Sequence, residues 1–268
     1  MLRFSGSGVS DVGCVRTTNE DSGFVGPYLA LVADGVGGAP SGEVASATAT
    51  QVLVESMLDR LDEQLELLVR SGVESARAAL HDEVDRRPTQ AGMATTLSLV
   101  ASDGHRVLVG QLGDSRVYVM AGGALRQATR DHSYVQDLVH DGALSPERAD
   151  AHPWRHVVTR TVDSHGGPAR RQPDLLELAL DPGDRILLCT DGLSDVVPEE
   201  RLRRLLMLPE PEVAAAALTQ EALGAGGPDN VTCVVLDVVE GPLSAGRGQW
   251  LGAAAERAGA VHARAVPG

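Results

Sequence analysis

The chain of 268 residues carries 23 Lys plus Arg against 37 Asp plus Glu, a formal net charge of −14, and only 3% of it is aromatic. That length buries a full core in one or two domains, with Val, Leu and Ala left to build it. A surface this acidic repels phosphate backbones and has no basic run, which excludes nucleic-acid binding. Cys14, Cys189 and Cys233 are odd in number and lack C-x-x-C spacing, which argues against a disulfide framework or a zinc site. They are expected to be buried thiols in a reducing compartment. No charged-then-apolar leader follows Met1, and no run approaches the roughly 18 to 20 apolar residues of a membrane span. The chain is therefore expected to be soluble, cytoplasmic and monomeric.

Residues 4–14 alternate loosely and predict a first strand, followed by the polar loop Arg16-Thr-Thr-Asn19-Glu20-Asp21. An Arg among acids suits an anion grip beside a metal's water shell. Residues 25–32 form the next strand, which delivers Asp34 into the glycine-rich turn Gly35-Val36-Gly37-Gly38. A carboxylate beside an accessible carbonyl is oxygen-ligand chemistry for Mg²⁺ or Mn²⁺. A helix opens at Gly42, with Ser41 as candidate cap, and runs to about Leu58. Leu65, Leu68, Val69, Ala76, Leu80 and Val84 recur at helical spacing until Pro88, giving a second helix.

From Met93 the period changes, and residues 95–101, 105–112 and 116–121 read as an antiparallel meander with Gly113-Asp114-Ser115 in one turn. Residues 129–168 are polar and helical only in short pieces. His132, His140, His152 and His156 fall here, but their spacing fits no simple ligand pair, so the segment reads as a flap over a cleft. A strand over 175–180 follows, then Arg185-Ile-Leu-Leu-Cys-Thr-Asp191-Gly192, which repeats the pattern of an apolar strand ending in Asp-Gly. Helices are expected at about 198–207 and 211–223, then Gly227-Pro-Asp229-Asn230 leads into a strongly β-prone run. The Gly/Ala/Arg-rich tail over 241–268 is weakly patterned and is expected to be disordered.

Asp34, Asp114, Asp191 and Asp229 thus recur at strand ends with glycine close by. Strand ends on one edge of a sheet converge, and converging carboxylates cannot all stay ionised without cations between them. Oxygen ligands without His or Cys select Mg²⁺ or Mn²⁺ over zinc.

In this order, Arg16-x-x-Asn19-Glu20-Asp21, Ala33-Asp34-Gly35-x-Gly37-Gly38, Gly113-Asp114-Ser115-Arg116, Asp131-His132-Ser133, Thr190-Asp191-Gly192 and Gly227-x-Asp229-Asn230 resemble the metal-dependent Ser/Thr protein phosphatases, the protein phosphatase 2C or PPM class, in its compact bacterial form. The resemblance covers about residues 4–239. It implies an α+β fold: a central β-sandwich of two antiparallel sheets, flanked on each side by a pair of antiparallel helices, with a flap over about 131–168, all in one domain spanning 1–240. It implies that Asp34 bridges two Mn²⁺ or Mg²⁺ ions, that the Gly35 carbonyl joins one of them, and that Asp191 and Asp229 complete the pair. Asp114 with Asp191 would hold a weaker third ion, Glu20 and Asp21 would act through metal-bound waters, and Arg16 would orient the phosphate. The implied reaction is direct attack of the bridging water on phosphoserine or phosphothreonine in proteins, reversing a bacterial Ser/Thr kinase.

The chain departs from the family pattern at three places. Val36 stands where some relatives carry a histidine proposed to protonate the leaving alcohol, Ala94 stands where Gly is usual, and Thr159-Arg-Thr-Val-Asp163 replaces a Leu-Gly-like flap exit. Two alternatives to the phosphoprotein phosphatase are a catalytically silent module binding phosphoproteins or a partner, and a phosphohydrolase of small phosphate esters. The complete set of aspartates disfavours the first, and the scarcity of base-stacking aromatics disfavours the second.

Overall fold

The computed structural model describes residues 1–36, 41–60, 63–149, 151–164, 172–242 and 248–265. The chain opens with β1 (Leu2–Asp11), β2 (Asp21–Val25) and β3 (Leu29–Val36), then α1 (Gly42–Met57) and α2 (Leu65–Arg86). A meander follows: β4 (Ala94–Thr95), β5 (Leu97–Ser102), β6 (Val107–Leu112), β7 (Arg116–Ala121) and β8 (Ala124–Gln127). The flap contains α3 (Tyr134–His140), α4 (Pro146–Ala149) and β9 (Val162–Asp163). The remainder is β10 (Asp174–Leu178), β11 (Arg185–Cys189), α5 (Asp191–Ser194), α6 (Glu199–Leu206), α7 (Pro211–Gly224), β12 (Val231–Glu240), β13 (Gln249–Leu251) and α8 (Gly252–Ala265).

One antiparallel sheet has the order β1-β12-β11-β7-β8, and the other β10-β6-β5-β3-β2-β13, with β4 and β9 continuing from β3. Side chains alternate across each strand, so each strand feeds two cores. In β3, Leu29 and Leu31 pack with Leu53, Leu68, Val69 and Leu80 of α1 and α2. Ala30 and Val32 face the other way, into the layer shared with Ile186, Leu188, Val234 and Leu236. The opposite faces of β11 and β12, through Leu187, Cys189, Cys233 and Val235, meet Leu202, Leu206, Ala214 and Leu218 of α6 and α7. The result is the expected four-layer αββα sandwich. Among the described residues no helix is long and apolar enough to cross a membrane.

Four expectations change. Asp34 lies within β3 and not past its end. The strand pairs with β5 through Val32, then continues against β4 at Gly35 and Val36, while Gly37 and Gly38 lie outside the described residues. Ser41 precedes α1, but among the described residues its buried hydroxyl has no hydrogen-bond partner, and its carbonyl takes the amides of Val44 and Ala45 instead. Cys14 is exposed because β1 ends at Asp11, whereas Cys189 and Cys233 are buried. The tail is not disordered over its described part. β13 pairs with β2, the Trp250 ring packs tilted against Phe24 at 4.9 Å between ring centroids, and Ala253 and Ala254 pack on Ala47 of α1. Small residues let α8 approach α1 closely, a fit that no hydrophobic periodicity announces.

Candidate metal centre

The alternation that builds the inter-sheet core also builds the site. Asp34 shares the inward parity of Ala30 and Val32, and its register partner Asp21 shares that of Val25. Both carboxylates therefore enter one end of the space between the sheets. From the facing sheet, Thr190 Oγ1 and Thr232 Oγ1 donate to Asp21 Oδ2 at 2.8 and 2.7 Å. Asp21 is fully buried beneath the cleft rather than on its wall.

The other acids arrive from connections. Asp114 occupies the β6–β7 turn, where Gly113 has φ 99 and leaves the left-handed region open. Asp191 starts α5 directly after β11, and Asp229 precedes β12, its Oδ1 accepting the Asn230 amide at 2.8 Å. A Cβ at Gly35 would lie 2.4 Å from Gly42, so only glycine admits the start of α1 this close. Arg16, Glu20, Asp34, Gly35, Asp114, Asp191 and Asp229 line a single cleft of about 470 Å³, shared with Val36 and the flap residue His156. Of the residues singled out in the sequence, all but Asp21 are on its wall. Arg16 Nη2 reaches Asp229 Oδ2 at 2.8 Å across the rim.

Crowding of like charges shows in the acids themselves. Burial, then the neighbouring Asp21, Asp191, Asp114 and Asp229, push the Asp34 carboxyl well above the usual range. Burial with Asp191 and Asp131 lifts Asp114 to about 8, and burial with Asp195 and Asp229 lifts Asp191 to about 6. Asp21 rises to about 7 by burial, against the pull of its two hydroxyl donors. Glu20 is raised by burial and by Glu43. Asp21 Oδ1 and Asp191 Oδ1 are buried with no hydrogen-bond partner among the described residues. Orphaned carboxylate oxygens among like charges are hard donors awaiting cations, so this set fits Mn²⁺ or Mg²⁺.

The histidines need one correction. His156, Asp191 and Asp195 each offer a ligand atom within 4.8 Å of the others, and His156 Nδ1 lies 3.3 Å from Asp195 Oδ2. Sequence spacing along the flap could not reveal this, because the partners come from the end of β11. The legible signal was Asp195 itself, one helical turn after Asp191. The flap is tied down at His132: its ring accepts the Gly113 amide at 3.2 Å, and its carbonyl accepts the Thr159 amide at 2.8 Å. Ala94 sits in β4 without positive φ, so this backbone makes no demand for glycine there.

A model of the protein phosphatase 2C family matches residues 17–221. The chain belongs to that family. Serine/threonine protein phosphatase PstP of Mycobacterium tuberculosis is 40% identical over 231 residues, which cover 86% of this chain and 44% of PstP. The chain thus spans less than half the length of that relative. Protein phosphatase PhpP of Streptococcus pneumoniae is 31% identical over 244 residues, covering 87% of this chain and 96% of PhpP. The crystal structure of the PstP catalytic domain in complex with two manganese ions superposes with TM-score 0.82 at 38% identity, over 90% of this chain and all of that one. The sandwich and its flanking helices are therefore the protein phosphatase 2C fold.

Proposed function

We propose that this chain hydrolyses phosphoserine and phosphothreonine on proteins in a reaction that needs Mn²⁺ or Mg²⁺, opposing a Ser/Thr kinase. The observation that carries the reading is the convergence of Asp34, Asp114, Asp191 and Asp229 on one cleft, with the carbonyl-bearing Gly35 and with Arg16 at the rim. Asp34, Gly35, Asp191 and Asp229 would hold two ions, Asp114 with Asp191 a weaker third, and Glu20 and Asp21 would act through bound water. Such ions, when bound, act as Lewis acids, lower the pKa of a bound water and neutralise a phosphoryl group. The Arg16 guanidinium matches phosphate oxygens in a planar fork, and a hydrogen bond to Asp229 Oδ2 at 2.8 Å places it at the rim. Val36 carries no proton to give, so the leaving alcohol takes none from that position. The names of the relatives and the manganese in PstP support the same reading.

The test is Mn²⁺-dependent phosphate release from a phosphothreonine peptide. EDTA should abolish it, and Asp191→Ala should lower it by on the order of 10² or more. Undiminished turnover in that variant would overturn the mechanism. Faster turnover of p-nitrophenyl phosphate or a nucleotide than of any phosphopeptide would favour the small-ester reading.

A further inference from the structure

The described part of the C-terminal segment lies beyond residue 221, where the match to the family model ends, yet it connects to the metal centre by a single file of hydrogen bonds. Asp21 and Ser22 are neighbours in β2 and point to opposite faces. Asp21 points into the space between the sheets beneath the cleft, while Ser22 faces α1 and α8. The Ala254 amide of α8 donates to Ser22 Oγ at 3.1 Å. Ser22 Oγ and Ser46 Oγ of α1 are 2.9 Å apart, and Ser46 Oγ donates to the Glu20 carbonyl at 2.5 Å. Each hydroxyl owns one hydrogen. Ser46 spends its hydrogen on a carbonyl, on Glu20 rather than the more distant Glu43 at 3.5 Å, so Ser22 must donate to Ser46 and accept from Ala254. The direction of every bond is thereby set, from α8 to the cleft wall.

The file ends on a backbone that matters. The same Glu20 carbonyl accepts the Gly35 amide at 3.2 Å, so one oxygen joins the two cleft residues contributed by the β1–β2 connection and β3. The docking is tight: Gly252 bridges Ser22 with φ +57, and a Cβ there would lie 2.2 Å from the Asp21 carbonyl. Both serines are fully buried, so water cannot replace a missing partner.

We infer that the β13–α8 unit is a positioning element of the metal centre, acting through Ser22 and Ser46 on Glu20 and Gly35, so that its docking tunes metal affinity. This rests on reading the cleft as a metal site. Neither serine would touch metal or substrate; Ser46 holds the Glu20 carbonyl and through it the Gly35 amide, and Ser22 holds Ser46. Groups that orient metal ligands typically change affinity by about 10–100-fold when lost.

The experiment uses the full chain with Ser46→Ala, which removes the hydroxyl but little volume, and Trp250→Ala, which removes the ring contact of β13 with Phe24. Mn²⁺ dissociation constants are measured by calorimetry, beside thermal unfolding and turnover of a phosphothreonine peptide across Mn²⁺ concentrations. Ser46→Ala should weaken Mn²⁺ binding about tenfold, with turnover restored by excess Mn²⁺. Trp250→Ala should do the same and open residues 248–265 to protease. Wild-type Mn²⁺ affinity in folded Ser46→Ala would overturn the inference and reduce the segment to scaffolding. Absence of Mn²⁺ binding in the unaltered chain would instead overturn the metal reading, and this inference with it.

Discussion

Thr190 Oγ1 donates to Asp21 Oδ2 at 2.8 Å across 169 residues of sequence, joining the two sheets beneath the cleft. Thr190 Oγ1 in turn accepts the Thr232 amide at 3.0 Å, so one hydroxyl fixes both an acid and a strand. Thr190→Val keeps the shape and removes the donor. Asp21 should then protonate more readily, and Mn²⁺ affinity should fall about tenfold. A calorimetric titration of the variant checks this; wild-type affinity would make the hydroxyl dispensable.

Arg16 is half exposed and its ion pair with Asp229 lies at the rim, so its contribution to stability is small. Its work would be phosphate binding in the ground state. Arg16→Ala should raise KM for a phosphopeptide about tenfold, the loss of one exposed charged hydrogen bond, and change kcat less. Steady-state kinetics at saturating Mn²⁺ separates the two. A fall in kcat with KM unchanged would assign Arg16 to the transition state instead.

The metal-free acids predict a direction with pH. Asp191, Asp21 and Asp114 are lifted from 3.8 to about 6, 7 and 8, in each case chiefly by burial. An acid whose pKa is raised by folding leaves the folded chain holding more protons than the unfolded one. Stability therefore falls as pH rises through these values. In EDTA, Tm should drop between pH 5 and pH 8.5. Added Mn²⁺ should raise Tm more at the upper end, because cations and protons compete for the same oxygens. Scanning calorimetry at several pH values tests this, and a metal-free chain that gains stability over the window would contradict it.

Arg185 makes a separate, structural prediction. Its buried guanidinium pairs with Asp237 at 2.6 Å and donates to the carbonyls of Leu206 at 2.6 Å and Pro209 at 2.8 Å. Arg185→Met strands these acceptors and should cost about 3 kcal/mol in urea unfolding. Arg185 is at the opposite end of β11 from Asp191, so Mn²⁺ affinity should be unchanged in the folded fraction.

The sequence by itself marked which acids close an apolar strand run, although β3 carries on through Asp34 to Val36. An apolar run closed by Asp and Gly is a local pattern, and it recurs at Asp34-Gly35 and Asp191-Gly192. The family motifs supplied the sandwich and its two helix pairs in the same way, through short stretches whose order survives in the chain. Only the tertiary structure decided what stands behind those acids. Thr232 reaches Asp21 across 211 residues and Ala254 reaches Ser22 across 232. His156 meets Asp195 from the flap, and α8 lies on α1 through alanines that carry no periodic signal. Hydrogen bonds between distant segments depend on strand parity and on close approach of small residues. Neither is written in any single stretch of chain.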